Sequence, residues 1–186
     1  MTWEGLSPPY GTIVADPPWH YDEGFVNGPA RGEGWSNRKP LPYSGMTPVE
    51  VVALPVSDLV GPNGAFLFLW TTNRYLPSSF DVVRGWGFNY RQTLVWHKGD
   101  ASPFPGAVAP NSAEYLVVGR CGNVKRTGTA PSAVLHVNRG PHSAKPAAFA
   151  DLVERVSPGP YVELFARAPR LGWDHWGHGY EIGAAP

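Results

Sequence analysis

Apolar and polar positions along this 186-residue chain fall into short runs that predict six strands and three helices. The strands are Thr12–Ala15, Ala65–Trp70, Gln92–His97, Glu114–Gly119, Ala133–Val137 and Tyr161–Ala166. In the second and the last, apolar residues run on without alternating, as expected of strands covered on both faces. Helical signals fall between them. Thr47-Pro48-Val49-Glu50 reads as a capping box with proline at the first helical position, and Val51, Val52 and Leu54 continue it as an apolar stripe. Pro77 opens a second helix to about Trp86, ended by Gly85 and Gly87. Pro146 opens a third over Ala147–Val156, stopped by Ser157-Pro158-Gly159-Pro160. Strands alternating with helices predict an α/β fold: an open, mostly parallel sheet with helices on both faces.

Two stretches fit no element, His20–Leu41 and Gly99–Asn111, both rich in Gly, Pro, Asn and Arg. The first exceeds the roughly 12–15 residues expected of an idle loop. It also follows the first strand directly, and ligands of open α/β sheets sit beyond the carboxyl ends of strands. The length suits one domain over residues 1–186.

Composition narrows the picture. Gly 22 and Pro 21 approach the level of disordered chains, yet eight Trp, eight Tyr and eight Phe carry too much apolar area to leave in water. A folded, loop-rich domain results, and a coiled coil or long helical bundle is excluded. Fifteen basic and fifteen acidic residues cancel, so global charge gives no sign of a polyanionic partner, and any such partner is held by local patches. Cys121 is the only cysteine, which excludes an intramolecular disulfide and a Cys-based zinc site. Met1–Tyr10 lacks the basic start and apolar core of a signal peptide. The longest apolar run, Ala65–Trp70, is far short of the roughly 20 residues that cross a bilayer. A soluble, cytoplasmic location is the expectation.

Ala15-Asp16-Pro17-Pro18-Trp19, at the end of the first strand, carries the most chemistry. Two prolines cannot donate backbone hydrogen bonds, so their carbonyls are expected to point outward with no role in the ladder. With an acid before them and an aromatic plane after them, they suit a planar ring bearing an exocyclic amine. Asp16 and the Pro17 carbonyl would accept the amine hydrogens while Trp19 stacks on the ring. Taken alone, the same residues also suit a plain strand-end turn.

Asp-Pro-Pro-Trp resembles the target-amine motif of amino-methyltransferases, in the version found in the adenine-N6 branch. The chain is similar to the family named for the 70-kDa subunit of the eukaryotic mRNA adenine methyltransferase, which has bacterial and phage members. The similarity continues through Pro42–Thr47, Phe68–Asn73, Thr93–Lys98, Glu114–Arg120, His142–Pro146 and Glu163–Arg167, in family order. It implies a Rossmann-like fold, S-adenosylmethionine as cofactor and methyl transfer to adenine N6, with no metal. Catalytic positions would be Asp16, Pro17, Pro18 and Trp19. Cofactor contacts would come from Asp16, Asn73, Ser143, Lys145, Glu163, Phe165, Arg167 and His178. His178 stands where relatives usually have Asn, and the acidic strand that usually precedes the target motif has no counterpart in Met1–Gly11.

Adenine inside a duplex is unreachable, so the base must be flipped or come from a single strand. Tyr21 and Trp35 are candidates to help stack it; Arg31, Arg38 and Lys39, with Arg120, Lys125 and Arg126, are candidates to hold phosphates. DNA is expected as substrate, RNA being the alternative. With no separate target-recognition domain expected, sequence specificity should be relaxed. An inactive nucleic-acid-binding subunit is the reading from another class, and the intact Asp16 and Trp19 argue against it. Asp174-His175-Trp176-Gly177-His178 gathers metal-ligand types, but its spacing matches no zinc helix and its glycines predict a loop.

Overall fold

The computed structural model describes residues 3–20, 45–102, 108–138 and 145–177. In chain order the elements are β1 (Thr12–Ala15), α1 (Pro48–Val52), a 3-10 turn (Val56–Leu59), β2 (Phe66–Thr71), α2 (Leu76–Gly85), β3 (Asn89–Ser102), β4 (Asn111–Arg120), β5 (Val134–His136), α3 (Ala147–Val156), β6 (Tyr161–Leu164) and β7 (Trp173–Trp176). The strands form one sheet in the order β5-β3-β4-β2-β1-β6-β7. β1 lies parallel to both neighbours, with Thr12 opposite Phe66 on one side and Tyr161 on the other. β6–β7 and β3–β5 are also parallel, whereas β4 runs antiparallel to β2 and β3.

Alternation along the strands divides the core between the two faces. Ile13, Ala15, Leu67, Leu69 and Val117 share one buried cluster with Val51 of α1 and Val82 and Val83 of α2. Val14, Phe68, Trp70, Leu116 and Val118 share the other with Phe149, Leu152 and Val153 of α3. Each such side chain contributes about 1.5–3 kcal/mol by leaving water, so both faces must be covered for the sheet to persist. Two local devices fix the first layer. Thr47 and Glu50 cap α1 reciprocally, the Thr47 amide donating to Glu50 Oε2 at 2.8 Å and the Glu50 amide to Thr47 Oγ1 at 3.3 Å. The buried Trp86 indole donates to the Val51 carbonyl at 2.9 Å and ties the end of α2 to α1.

The three helices and six strands expected from the sequence are present, with four differences. β3 runs on to Ser102, so Gly99–Ser102 belongs to a strand paired with Asn111 and not to a loop. β6 stops at Leu164 because Phe165 turns into positive φ (64°). β6 also alternates in burial, and it is β1 whose four residues are all buried. A seventh strand, β7, pairs with β6 where a loop was expected. Its Asp174 accepts the Tyr10 hydroxyl and His175 Nε2 accepts the Arg170 amide at 2.7 Å. These acceptor roles are invisible in a Trp-Asp-His-Trp string. Among the described residues, no helix is long and apolar enough to cross a membrane.

β1 sits where the winding divides. Its connection to β2 carries α1, on one face, and β6 is reached through α3 on the other. The carboxyl end of β1 therefore opens into the crevice where such sheets hold ligands.

Candidate active site

Asp16 leaves the end of β1 with its amide still donating to the Leu164 carbonyl at 3.3 Å, which carries the β1–β6 pairing one residue past the strand. Its side chain is 12% exposed. Lys145, at the entry to α3, places Nζ 3.0 Å from Asp16 Oδ1 and 2.9 Å from Oδ2. The same ammonium lies 3.2 Å from Glu114 Oε2 and 5.1 Å from the centre of the Trp70 ring. Glu114 in turn pairs with Lys98, and Arg167 Nη2 lies 3.7 Å from Asp16 Oδ2. β4 is antiparallel to its neighbours, so Glu114 near its start and Lys98 near the far end of β3 reach the same pole as Asp16.

Burial works against the charge on Lys145, but Asp16 and then Glu114 outweigh it and hold the ammonium above its ordinary range. Burial alone would push Glu114 up; Lys145 and Lys98 outweigh it and hold the carboxyl below the usual value. Glu163 behaves in the opposite way. Burial, helped by the charge of Asp16, pushes it up to about 7 against the pull of Lys145, Arg170 and Arg167. Glu163 faces a cavity of about 220 Å³ that it lines with Trp70, Lys145, Phe149, Pro169 and Arg170. Lys145 and Arg167, with the carboxyl groups of Asp16, Glu114 and Glu163, surround one crevice and suit a zwitterion that carries a further positive charge. The cavity is smaller than the roughly 300–1,000 Å³ of whole small-molecule sites, so it fits part of such a ligand.

The model of the MT-A70 family matches residues 10–179. The chain belongs to the MT-A70 family. Its sheet is the Rossmann-like fold of these S-adenosylmethionine-dependent methyltransferases. Among curated proteins it is 30% identical over 183 residues to the Type II methyltransferase M.MunI of a Mycoplasma species, covering 90% of this chain and 76% of that protein. It is 29% identical over 192 residues to the human N(6)-adenine-specific methyltransferase METTL4. It is 26% identical over 167 residues to the human N(6)-adenosine-methyltransferase catalytic subunit METTL3. The chain spans 37% and 26% of the length of these two human relatives.

Within this MT-A70 domain, Asp16, Lys145, Glu163 and Arg167 meet at one crevice, with Phe165 packed edge-on to Trp176 beside it. Asn73 is exposed in the turn after β2, at the same pole. The two proline carbonyls differ from expectation. The Trp19 amide donates to Pro17 O at 2.8 Å, and the Met46 amide donates to Pro18 O at 2.6 Å in a bridge between Trp19 and Met46. Pro17 O retains a second lone pair.

Trp19 differs more. Its ring is 4% exposed, stacks on Tyr75 with centroids 5.0 Å apart, and donates its indole N–H to the Trp70 carbonyl at 3.1 Å. It packs in the core under the site and presents no open wall, because a buried indole needs both a packing partner and an acceptor. Arg120, the last residue of β4, and Lys125 and Arg126 beyond it lie at the end of β4 remote from Asp16 and do not join the crevice. Tyr21, Arg31, Trp35, Arg38, Lys39, Ser143 and His178 lie outside the described residues.

Sequence reasoning did not single out Glu114, Lys98, Trp70 or Tyr75. The available signal was a charge standing at the end of an otherwise apolar strand, as in Trp96-His97-Lys98 and Glu114-Tyr115-Leu116. Among the described residues, no group of three or more His, Cys, Asp or Glu could hold a metal ion.

Proposed function

We propose that this protein transfers a methyl group from S-adenosylmethionine to N6 of adenine in DNA, with relaxed sequence specificity. The observation that carries this reading is the Asp16 carboxylate, fixed at the carboxyl end of β1 by Lys145 at both oxygens, beside a Pro17 carbonyl with a free lone pair. Family membership and the adenine-N6 reactions named for several relatives support the reaction. The coverage of the prokaryotic Type II relative, far greater than that of the human ones, supports DNA over RNA.

S-adenosylmethionine, when bound, supplies a methyl group activated by its sulfonium. Lys145 and Arg167 would hold its carboxylate, and Asp16 and, once ionised, Glu163 would face its positive charges. Asp16 and Pro17 O would accept the two hydrogens of the adenine amine. That would leave the nitrogen lone pair localised and directed into the crevice, toward the methyl group that the cofactor would supply. A carboxylate has about four acceptor positions, so Asp16 can hold Lys145 and the amine together. Positioning of this kind contributes up to about 7–11 kcal/mol to a bimolecular step. The proton lost by the methylated amine passes to Asp16 or to water.

The test is incubation with labelled S-adenosylmethionine and single-stranded DNA, duplex DNA or RNA, followed by identification of the methylated nucleoside. N6-methyldeoxyadenosine is expected, and Asp16→Ala should abolish it. Turnover retained by Asp16→Ala, or label found only in RNA, refutes the assignment. Mapping on random-sequence DNA tests the specificity, and a long strict site would contradict it.

A further inference from the structure

We propose that the protein has a second binding site, for a nucleoside phosphate, on the α3 face of the sheet at the pole remote from Asp16. A cavity of about 530 Å³ lies there, within the roughly 300–1,000 Å³ of small-molecule sites. Three arginines line it, Arg91, Arg120 and Arg126, and no Asp or Glu is among its lining residues. In a chain of zero net charge this is a local concentration of one sign.

Two features set Arg91 and Arg120 apart from ordinary solvated surface charges. The first is a register shift in β3. Tyr90 pairs with Gly119 and Gln92 with Val118, so Arg91 is an extra residue with no counterpart on β4. Successive side chains of a strand point to opposite faces, yet Arg91 and Gln92 both line this cavity. A bulge is the device that re-aims a side chain in this way. The second is Arg120, whose Nε is buried with no hydrogen-bond partner among the described residues. A buried N–H without an acceptor is destabilising, and an oxygen of a phosphate entering the cavity would satisfy it by a charge-assisted bond.

The remaining lining specifies more than an inorganic anion. Phe66, Phe68, Leu94 and Val118 from the sheet and Leu152 from α3 form an apolar floor. Gln92, Thr129 and Ser132 add an amide and two hydroxyls. A planar heterocycle has the apolar face for such a floor and the polar edge for the amide, and its phosphate takes the guanidinium forks. The reading of this protein as a nucleic-acid methyltransferase supplies one source for that group, a nucleotide of the substrate strand. Phe66 and Phe68 stand five and three residues before the end of β2, so the site lies about 10–17 Å along the sheet from the methyl-transfer pole. A free nucleotide is the other source.

The probes are adenosine monophosphate and a single-stranded DNA of about eight nucleotides, titrated calorimetrically into the full chain at several salt concentrations. Arg91→Gln/Arg126→Gln changes two exposed residues, and its unfolding midpoint reports that the fold is kept; Arg120→Gln is measured beside it. Loss of the arginines should weaken binding of a probe about tenfold or more. For the strand, the slope of log K against log salt should flatten by about 0.7 per phosphate contact removed. Weakening seen with one probe alone supports the site and identifies its source; weakening with both supports a site that accepts either. Affinities and salt slope unchanged for both probes overturn it. Methyl transfer measured in parallel separates the two readings. A wild-type protein that methylates no nucleic acid, with variants that still lose affinity, refutes the methylation reading alone. Methylation by the wild type, with binding unaltered in the variants, refutes the second site alone.

Discussion

Replacing Glu163 by Gln should make the protein more stable at neutral and alkaline pH, although it removes a charge from the site. The Glu163 carboxyl holds its proton up to about pH 7 because burial and the charge of Asp16 disfavour the anion, whereas an ordinary glutamate gives it up near 4.5. Between those values the folded chain binds more protons at this position than the unfolded chain, so stability falls as pH rises. The full difference is about 3 kcal/mol, present below pH 4.5 and lost once pH has passed 7. Gln is nearly isosteric and stays neutral, so Glu163→Gln should not suffer this loss. Urea unfolding of both proteins from pH 4.5 to 8.5 measures it. The two stability curves should converge at the acid end and separate by up to about 3 kcal/mol at the alkaline end, the variant above. Curves that stay parallel across that range would show that Glu163 is not buried against Asp16 as described.

Lys145→Met should have the opposite effect. It leaves the Asp16 and Glu114 side chains, 12% and 16% exposed, without their shared cation, and the urea midpoint should report a loss of about 3 kcal/mol that shrinks in acid as the carboxylates protonate. Trp19→Ala should cost about 3–5 kcal/mol, as expected of a core aromatic. Trp19→Phe should lower stability mildly and leave nucleic-acid affinity unchanged; weaker binding at unchanged stability would restore a base-stacking role. Gly64→Ala should lower the melting temperature by about 5–10 °C, because Gly64 sits at φ +90° and an added Cβ would lie 2.1 Å from the Cys121 carbonyl oxygen. A change within error in calorimetry would contradict that close approach.

The elements legible in the sequence were those with local causes. Thr47-Pro48-Val49-Glu50 caps its helix as its side chains require, and the uninterrupted apolar run Phe66–Trp70 could lie only between two covered faces. Asp16 was legible because a charge stands between a buried strand and two prolines. The pairing around it was not. Glu114 joins Asp16 only because β4 runs antiparallel to β2, a property of the sheet that no local signal in β4 encodes. Trp19 misled for a related reason. An indole beside a polar motif resembles a stacking wall, but the strand turns its ring inward against Tyr75, 56 residues further along the chain. β7 escaped notice because its two polar residues find their partners in Tyr10 and Arg170 and do not follow a simple pattern of exposure.

The Lys145–Asp16–Glu114 cluster also bears on the kinetics of the protein. Lys145 and Asp16 are 129 residues apart in sequence, and the third member arrives on β4, which reaches β1 only across β2. Contacts of such separation form after the strands that carry them have assembled, because the entropy of closing the intervening chain must first be offset. The ion cluster is therefore expected to form late in folding, after its transition state, which refolding and unfolding rates of Lys145→Met would test. Changes in it should accelerate unfolding and leave the refolding rate nearly untouched. On that expectation the lifetime of the native state, and with it resistance to proteases that act through rare full unfolding, would depend in part on the same lysine and aspartate that line the proposed methyl-transfer crevice.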